Sequence, residues 1–568
     1  MARNLSSLGR VYRLYEEESY TVDRLRDLLC PIGDDELWNL IADMRDAEIC
    51  KKNRNGTYKF PYVGLVEFRA RNREKVRNAM HDKRIIFVPK FFEKDERCCK
   101  EQEGLGCCQE ALTGAQKIIL QAVFKYRKEK NAMLFASGQM PLAEGVSSRL
   151  SIYIALIADA MEYGPYLVER RLLVENGLGE IDWPATIATQ TPLWHNRRPY
   201  YLKHWTAGVG YDESHFITLL HAQLLRTCFK EIEEWGLASV LGLDLDGIED
   251  ADEFDWGKSE YYLAKISDEM KVQFVTQKQY TLKLMRAVIE DVWNEGEDSQ
   301  DLQYFGMTGV HELWERAIKD VLRDEINKKP EDTNAKLKCD PDDKKEVEKA
   351  GKTLLEYIDA PVWKTGGSDI RGYSVDESGK HTVDRLEPDF VATYRDEEAN
   401  ACHFVILDAK YYCPRVEGGR ISGQPGVGDV NKQFLYQLAY GKLIGYNQKQ
   451  GQLNVHNAFV LPRPFKDSSP TNTERGLSPT TFAKVRVDIF ADIMRSQERQ
   501  AGAAGADAGH MCELSVLYVD GVRLLDCYVR GIVDDDKHSM LRELVGVISL
   551  DSDKASQGKG AGGDAQAV

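Results

Sequence analysis

The segment that most constrains the fold is 386–412, which reads LEPDFVATYRDEEANACHFVILDAKYY. Two apolar runs flank a polar turn, and this pattern predicts a β-hairpin. The first run starts with a Pro-Asp dipeptide at Asp389, and the second ends with Asp408 and Lys410 in a D-A-K string. Because side chains alternate along a strand, Asp408 and Lys410 share a face. A turn centred near Glu398 places Asp389 opposite Asp408, with Cβ atoms about 4.5–5.5 Å apart, unless a β-bulge shifts the register.

This arrangement of charges points to a metal site. Two opposed carboxylates repel each other, so they raise one pKa or require a cation. Mg²⁺ fits because it prefers oxygen ligands and is held by one or two carboxylates together with phosphate and water. A lysine beside the metal orients a water or stabilises charge that develops on phosphate. We therefore predict that Asp389 and Asp408 bind Mg²⁺ and that Lys410 assists phosphodiester hydrolysis.

The alternative interpretation is a surface hairpin with a cross-strand ion pair. The run CHFVIL, which precedes Asp408, is apolar enough to be buried. Buried charges must be paired or bound to metal, so burial of this run favours the catalytic interpretation over the surface one.

Composition indicates a large soluble protein. The 568 residues suffice for two to four domains, and the 43% hydrophobic and 29% charged content is ordinary for a globular chain. No run approaches the roughly 20 apolar residues of a membrane span, and the N-terminus lacks the apolar core of a signal peptide. The twelve cysteines are scattered, so we expect reduced thiols and a cytoplasmic location. A net charge of −16 disfavours a general nucleic-acid coat but permits a nuclease with a local basic patch.

Changes of pattern along the chain predict five regions. We expect a winged-helix-like unit at 1–62, a mixed α/β region that contacts a partner or DNA at 63–210, and a helical region at 211–300. A nuclease domain is expected at 301–550 and a disordered, low-complexity tail at 551–568.

The predicted N-terminal unit has the order helix, helix, basic hairpin. Thr21 is a plausible N-cap, and the Asn-Gly dipeptide at Gly56 is a strong hairpin signal. Lys51, Lys52 and Arg54 in this hairpin are candidate DNA-binding residues. A wing that contacts a protein partner explains the same pattern equally well.

Two cysteine doublets, Cys98-Cys99 and Cys107-Cys108, lie close together. Four cysteines at this density suggest zinc, but adjacent cysteines chelate poorly and the spacing is not CxxC. We interpret them as two doublets in a loop.

The Pro-Asp dipeptide followed by a strand carrying D-x-K resembles the PD-(D/E)xK nuclease superfamily. Two further strings, GEIDWPATI at 179–187 and DVNKQ at 429–433, are similar to strings in LlaJI-type restriction endonuclease subunits. Those subunits are relatives of McrC, the nuclease partner of the McrB GTPase. The resemblance implies a multidomain α+β fold with an N-terminal winged-helix-like unit, a helical middle and a C-terminal α/β PD-(D/E)xK core with a central mixed sheet.

The resemblance also implies a function. It implies a Mg²⁺-dependent endonuclease that cleaves double-stranded DNA within a restriction system, of type II or type IV-like, together with an AAA+ GTPase similar to McrB. No Walker A string occurs in the sequence, so any nucleotide hydrolysis must come from another chain. By the match to McrC-like motifs, Glu315 is a candidate catalytic carboxylate, with Glu312 as its competitor. Gln433 is carried over as an active-site residue and Lys432 as a DNA contact.

Two other functions remain open from the sequence. One is an assembly factor that stimulates a GTPase and has little nuclease activity of its own. The intact carboxylate and lysine set disfavours a loss of catalysis, although both roles can coexist. The other is a DNA-repair nuclease with a similar core.

Overall fold

The structure is a computed structural model. It describes residues 11–29, 32–68, 83–94, 108–109, 111–136, 148–212, 214–245, 255–293, 302–365, 368–375, 381–397, 400–451, 453–467, 476–490, 493 and 513–557.

The described strands, in chain order, are β1 Val11–Tyr15, β2 Ser19–Tyr20, β3 Lys51–Lys52, β4 Tyr58–Lys59, β5 Val63–Phe68, β6 Lys83–Val88, β7 Cys108–Gln109, β8 Val168–Glu175, β9 Glu180–Ile181, β10 Leu193–His195, β11 Arg198–Tyr200, β12 Trp205–Asp212, β13 Leu302–Met307, β14 Val362–Thr365, β15 Ser368–Arg371, β16 Tyr373–Val375, β17 His381–Val383, β18 Phe390–Asp396, β19 Ala401–Ala409, β20 Arg415–Glu417, β21 Arg420–Ser422, β22 Leu453–Pro462, β23 Thr480–Arg486 and β24 Glu513–Val519.

The described α-helices are α1 Val22–Leu28, α2 Asp34–Asp46, α3 Gly114–Ala136, α4 Arg149–Tyr163, α5 Trp183–Thr189, α6 Phe216–Glu234, α7 Ala238–Leu241, α8 Ser259–Val272, α9 Thr276–Trp293, α10 Val310–Leu322, α11 Lys344–Lys349, α12 Leu354–Tyr357, α13 Val427–Ala439, α14 Gly441–Gln450, α15 Gly521–Arg530 and α16 Asp534–Gln557. Short 3₁₀ turns occupy Trp256–Lys258 and Pro330–Asp332.

The described chain divides into two compact units, each with its own helices and sheets. Unit 1 comprises Asn131–Phe305, and unit 2 comprises the described residues of Gly9–Lys130 and Gly306–Val568. This is a mixed α/β, multidomain architecture, as the sequence predicts. Unit 2 is built from two separate stretches of chain, and the expected region boundaries at residues 62 and 210 fall inside units rather than between them.

Unit 1 combines a helical core with a small sheet. Helix α4 packs against α6 and α9, and α8 packs against α9. The sheet has the strand order β8-β12-β9, and β10 and β11 form a separate hairpin. Helices α6 to α9 lie within the region predicted to be helical, 211–300, and they share their unit with α4 and this sheet.

The N-terminal part of unit 2 confirms the predicted helix, helix, hairpin order. Thr21 accepts a hydrogen bond from the backbone N–H of Arg24 and so caps α1. Strands β3 and β4 pair around a turn in which Gly56 has a φ of 84°, a conformation that favours glycine. Strand β1 does not belong to this small unit. It pairs in parallel with β6, and β6 in turn pairs with β5, so residues 11–15 belong to a different sheet.

The C-terminal part of unit 2 is organised by a mixed five-stranded sheet of order β18-β19-β22-β24-β23. Strands β18 and β19 are antiparallel neighbours joined by a short turn, which confirms the predicted hairpin. Strands β19 and β22 run parallel because α13 and α14 return the chain to the starting edge. One face of the sheet packs on these helices: Phe404 and Ile406 of β19 cluster with Tyr436, Tyr440 and Leu443.

The predicted C-terminal tail and the two cysteine doublets lie partly outside the described residues. Helix α16 extends to Gln557, so residues 551–557 of the predicted disordered tail are helical, and residues 558–568 lie outside the described part. Cys98, Cys99 and Cys107 also lie outside the described residues, whereas Cys108 forms part of β7.

Candidate active site

The β18–β19 register brings the two predicted carboxylates together. Phe390 pairs with Leu407, so one step further along the antiparallel ladder Asp389 faces Asp408, as predicted. The backbone N–H of Ala409 donates to Oδ2 of Asp389 at 2.9 Å. Asp408 is only 3% exposed and continues the face of β19 that packs on the helices.

Lys410 joins these carboxylates from the end of β19. Its Nζ lies 2.9 Å from Oδ1 of Asp408 and 3.3 Å from Oδ1 of Asp429. Its backbone N–H donates to the carbonyl oxygen of Val460 on β22 at 3.1 Å, which continues the parallel ladder by one residue. The ammonium group is therefore positioned between two carboxylates by the sheet itself.

The charges of the site perturb one another. Burial, and then hydrogen bonding and repulsion from Asp408, raise the pKa of Asp389, against the opposing effects of Lys410 and the Ala409 N–H. Burial lowers the pKa of Lys410, but attraction from Asp408, Asp389 and Asp429 outweighs it, and the net effect is an increase. Two carboxylates that face each other across the hairpin, beside a protonated lysine, are electrostatically suited to accept a further cation.

The oxygen atoms fit such a cation. Oδ1 of Asp408 is buried, and the ammonium of Lys410, 2.9 Å away, compensates it as an ion pair. A buried carboxylate oxygen without a hydrogen bond is costly unless something else compensates it. Within the described ranges, no group of three or more His, Cys, Asp or Glu side chains is arranged to hold a metal ion. Asp389 and Asp408 would thus be the two protein ligands, with water and substrate oxygens completing the shell.

Helix α10 holds the two competing glutamates in different environments. Glu315 Oε1 lies 2.6 Å from Nζ of Lys319, one turn later, and both side chains are partly buried. Burial lowers the pKa of Lys319, but Glu315, Asp324 and Asp389 together raise it, so this pair lies within electrostatic range of the site.

Glu312 is held elsewhere. The hydroxyl of Tyr126 donates to its Oε2 at 2.7 Å, and Lys130 Nζ lies 3.3 Å from the same atom. Partial burial raises the pKa of Glu312, but these two groups lower it overall. Glu312 therefore contacts α3 rather than the carboxylates. Of the two glutamates, Glu315 is the one whose partner lies within electrostatic range of the site.

Three residues of α13, the predicted Gln433 and Lys432 and also Tyr436, occupy different environments. Gln433 is fully buried, and its Nε2 lies 3.3 Å from the carbonyl oxygen of Ile406 and 3.4 Å from that of Ala458, so its amide joins α13 to two strands. Lys432 is exposed. Tyr436 is buried and donates to the carbonyl oxygen of Glu387 at 2.8 Å.

Tyr436 and Gln433 differ in their relation to the carboxylates. Burial, and then the charges of Asp408 and Asp389, raise the pKa of Tyr436, which places its hydroxyl close to the site. The Oε1 of Gln433 is buried without a hydrogen bond, and the contacts of its Nε2 are structural.

Lys51, Lys52 and Arg54 lie in the exposed β3–β4 hairpin. Lys52 Nζ lies 5.8 Å from the ring centroid of Tyr58. None of the three is brought to the carboxylates by a contact within the described part of the chain.

A buried contact holds the residue that follows Lys410. The hydroxyl of Tyr411 donates to Oε2 of Glu16 at 2.6 Å, and the backbone N–H of Lys90 donates to the same oxygen at 3.1 Å. The Lys90 ammonium lies 4.3 Å from the centre of the Tyr411 ring. The segment that follows β19 is therefore anchored by contacts with residues that follow β1 and β6.

Sequence reasoning missed two residues of the site. One oxygen of Asp429 accepts a hydrogen bond from the Gly426 N–H at 3.0 Å, at the start of α13, and the other lies 3.3 Å from Lys410 Nζ. Lys319 was not considered, although its i,i+4 spacing from Glu315 is a recognisable signal.

The sequence matches the LlaJI restriction endonuclease family over residues 80–338 and 370–473, which is more than half of the chain. The chain belongs to the LlaJI restriction endonuclease family. The matched ranges of this LlaJI-family chain include Asp389, Asp408, Lys410, Glu315 and Gln433.

A curated relative carries the name type II restriction enzyme BsuMI component YdjA, from Bacillus subtilis strain 168. The two proteins are 28% identical over 324 residues, which cover 56% of this LlaJI-family chain and 57% of the relative. The chain thus matches a little more than half the length of that relative.

A similar solved chain belongs to the Thermococcus gammatolerans McrBC complex, determined by cryo-electron microscopy. It is 11% identical, and the match covers 54% of this LlaJI-family chain and 86% of the solved chain, with a TM-score of 0.21. A score this low is insufficient to treat the two folds as alike. Among the described helices of the LlaJI-family chain, none is long and apolar enough to cross a membrane.

Proposed function

We propose that this chain is the Mg²⁺-dependent endonuclease subunit of a restriction system and hydrolyses phosphodiester bonds of double-stranded DNA. The observation that carries the proposal is the meeting of Asp389, Asp408 and Lys410 at one end of the β18–β19 hairpin. Membership of a restriction endonuclease family supports the same reaction class.

Asp389 and Asp408 would hold the metal. Bound Mg²⁺ supplies Lewis-acid polarisation of the phosphate and lowers the pKa of a coordinated water. The chain's own contribution is to keep the two carboxylates opposed and Asp408 buried. In the absence of a cation, Lys410 would compensate the charge of Asp408 through the ion pair that it forms with Oδ1.

Lys410 would bind and orient the scissile phosphate or the attacking water. Its ammonium is protonated because three carboxylates surround it, so it acts as a charge and hydrogen-bond donor rather than as a base. Asp429 orients that ammonium from the first turn of α13. The Glu315–Lys319 pair on α10 is a second candidate contact for the metal-bound water or the phosphate.

The proposed fold of this part is the PD-(D/E)xK nuclease core. A mixed central sheet, a preceding helix α10 and a following helix α13 that both pack on the catalytic hairpin support this assignment. Gln433 would contribute by joining α13 to the strand that bears Asp408.

We propose further that the chain works in the cytoplasm with an AAA+ GTPase similar to McrB. The sequence contains no Walker A string, so an energy-dependent restriction activity would require a second chain. The basic hairpin that carries Lys51, Lys52 and Arg54, and the exposed Lys432, are the proposed contacts to DNA.

The decisive experiment is cleavage of covalently closed plasmid by the purified chain with Mg²⁺, with and without a co-encoded GTPase and GTP. We expect cleavage to require Asp408: Asp408→Ala should abolish it while the protein remains folded by circular dichroism. Asp342→Ala removes an exposed carboxylate and is the matched control, which should cleave as the wild type does.

Three results would change the proposal. A folded Asp408→Ala protein that still cuts would overturn the assigned site. Cleavage by the chain alone would retain the nuclease and remove the obligate partner. An absence of cleavage under every condition, with intact stimulation of the GTPase, would assign an assembly role instead.

A further inference from the structure

Unit 1 contains a hairpin that is exposed along its whole length. Among the described strands, β10 (Leu193–His195) and β11 (Arg198–Tyr200) pair only with each other, and every residue of both is exposed. An isolated two-stranded hairpin is marginally stable in water. This element therefore contributes little to the core, which makes a role at the surface the better explanation for it.

The hairpin is locally basic in an acidic chain. Residues 183–211 include Arg197, Arg198 and Lys203 and no Asp or Glu, whereas the whole chain has a net charge of −16. Within the described residues, neither Arg197 nor Arg198 forms a salt bridge, although Lys203 pairs with Glu175 at 2.5 Å. Two adjacent guanidinium groups are thus presented to solvent without counter-ions from the described protein.

The turn places an arginine where the backbone prefers glycine. Asn196 and Arg197, the two central residues, have φ values of 49° and 64°. Positive φ at both positions is the type I′ pattern, for which Asn-Gly is the favoured sequence. Arg197 occupies the glycine position at a conformational cost, and such an outlier is grounds for a functional hypothesis about its side chain.

Aromatic rings accompany the charges. Paired residues share a face, so His195 and Arg198 lie on the same face as Leu193 and Tyr200, and the other face carries Trp194. Trp194 is 69% exposed and Tyr200 is 50% exposed. Exposed cations with interleaved aromatic rings are typical of surfaces that contact phosphates and stack on bases.

We propose that the β10–β11 hairpin is a DNA-binding element of this chain, with Arg197 and Arg198 on backbone phosphates and Tyr200 or Trp194 against sugar or base. The inference rests on the proposed function for the identity of the ligand as DNA. A two-stranded ribbon fits the major groove, which is about 12 Å wide, and arginine forks match phosphate oxygens in a bidentate manner. The two arginines, which form no salt bridge within the described residues, favour nucleic acid over a protein partner for this hairpin. Leu193 is the one large exposed aliphatic side chain of β10 and β11, and further exposed aliphatic side chains lie on β8.

The test measures the affinity of the full chain for a fluorescein-labelled DNA duplex of mixed sequence. Fluorescence anisotropy reports binding, and EDTA is present so that no cleavage occurs. The variant Arg197→Gly/Arg198→Thr removes both charges and suits the turn and strand, so the hairpin should persist. We expect the dissociation constant to rise on the order of tenfold. The logarithm of the association constant falls with the logarithm of the salt concentration, and the magnitude of this slope should become smaller by about two over roughly 50–200 mM salt.

The matched control is Lys344→Ala/Lys345→Ala, which removes two adjacent exposed cations from an acidic segment of unit 2. It should alter the affinity by no more than about twofold, because only net charge changes. Arg197→Lys/Arg198→Lys should retain most of the salt slope, and Trp194→Ala/Tyr200→Ala should weaken binding with an unchanged slope.

Unchanged affinity and slope in Arg197→Gly/Arg198→Thr would overturn the proposal. Loss of binding to a co-encoded GTPase by this variant, with DNA affinity intact, would overturn it in favour of a protein contact. These outcomes are separate from the nuclease assignment: binding in EDTA that depends on the hairpin would support the inference even if no cleavage were ever observed.

Discussion

Lys410 has two roles in this site that can be separated experimentally. It neutralises the buried Asp408, and in the proposed reaction it contacts the phosphate or the attacking water. We expect Lys410→Ala to lower cleavage about a hundred- to a thousand-fold, because a positioned charge is lost from the transition state. Without metal it should also destabilise the fold by about 3 kcal/mol, because Asp408 loses its partner.

Added Mg²⁺ should reverse more of this destabilisation in Lys410→Ala than it adds to the wild type, because the cation no longer competes with an ammonium group. Melting temperatures with EDTA and with Mg²⁺ measure this difference without reference to activity. Lys449→Ala, at the exposed end of α14, is the control. Equal Mg²⁺ shifts in wild type and Lys410→Ala would contradict a shared site for lysine and metal.

A second residue-scale prediction concerns Asp159 in the core of unit 1. Burial raises the pKa of Asp159 to about 6, although Thr281 and Gln277 donate hydrogen bonds to it. Between about pH 4, the ordinary pKa of the group, and about pH 6, the Asp159 carboxyl is therefore largely protonated in the folded state and ionised in the unfolded state. The unfolding free energy contributed by this group therefore falls as pH rises through that window, by up to about 3 kcal/mol.

Asp159→Asn keeps the acceptor oxygen but cannot ionise, so it should remove this pH dependence and be more stable than the wild type at pH 7. Melting curves between about pH 4 and 7 measure the effect. The exposed Asp244 provides the control variant Asp244→Asn. A pH profile of Asp159→Asn that parallels the wild type would contradict the assignment.

The sequence predicted that Asp389, Asp408 and Lys410 lie together because alternation and hairpin register are local properties. Asp389, Asp408 and Lys410 needed only a turn position to be brought together. The contact between Asp429 and Lys410 was not predictable in the same way. Asp429 lies 19 residues beyond Lys410 on a helix, and the contact depends on where that helix packs on the sheet.

Strand β19 is attached, through the residue Tyr411 that follows it, to residues next to the sheet that contains β5, β6 and β1. Tyr411 is fully enclosed, with its hydroxyl on Glu16 and its ring between Phe91 and Trp314. The Trp314 indole N–H lies 3.3 Å from the same Val460 carbonyl that accepts from the Lys410 N–H. The Tyr411 anchor therefore fixes the backbone at the position from which the Lys410 side chain extends.

Tyr411→Phe removes one hydroxyl and leaves the buried Glu16 carboxylate with fewer donors. We expect a loss of about 1–3 kcal/mol in stability and a decrease in cleavage of about tenfold or more, because small displacements of catalytic groups are costly. Tyr412→Phe is the matched control, since the neighbouring ring is 37% exposed and makes no comparable contact in the described structure.

Glu16→Gln provides the second arm of a double-mutant cycle. A neutral amide at this position does not require the tyrosine hydroxyl to stabilise a charge, so the double variant should be less destabilised than the sum of the single variants. A coupling energy of about 0.5–3 kcal/mol is expected for groups in direct contact. Additive effects would show that the two residues act independently.

Element-scale prediction from sequence succeeded where contacts are local and failed where they are not. The β3–β4 hairpin and the α1 cap were predicted from Asn-Gly and Thr21. Strand β1 was assigned to the wrong unit because its parallel partner, β6, lies about 70 residues later, and no pattern within Val11–Tyr15 encodes that partner.

The whole molecule differs from the expected series of five consecutive regions for a related reason. Unit 2 is closed by contacts between its two stretches, such as the bond from Tyr411 to Glu16, which are 395 residues apart in sequence. Composition changes along a chain mark linkers and loops, but they do not record which distant segments share a core. The strings that carry the family resemblance lie in both units. The resemblance could therefore indicate a class of function, although it did not indicate where the units begin and end.

The final prediction concerns the independence of the two units. Each has its own buried core, so calorimetry of the metal-free chain should resolve two transitions rather than one. Asp159→Asn at pH 7 should raise only the transition of unit 1, and Tyr411→Phe should lower only that of unit 2. One kcal/mol corresponds to about 2–4 °C for a unit of roughly 150–250 residues, such as unit 1, and to a smaller shift for the larger unit 2. Mg²⁺ should raise only the transition that Tyr411→Phe lowers, because ligand binding stabilises the unit that holds the site. A single transition that both variants shift would instead indicate that the chain unfolds as one cooperative body.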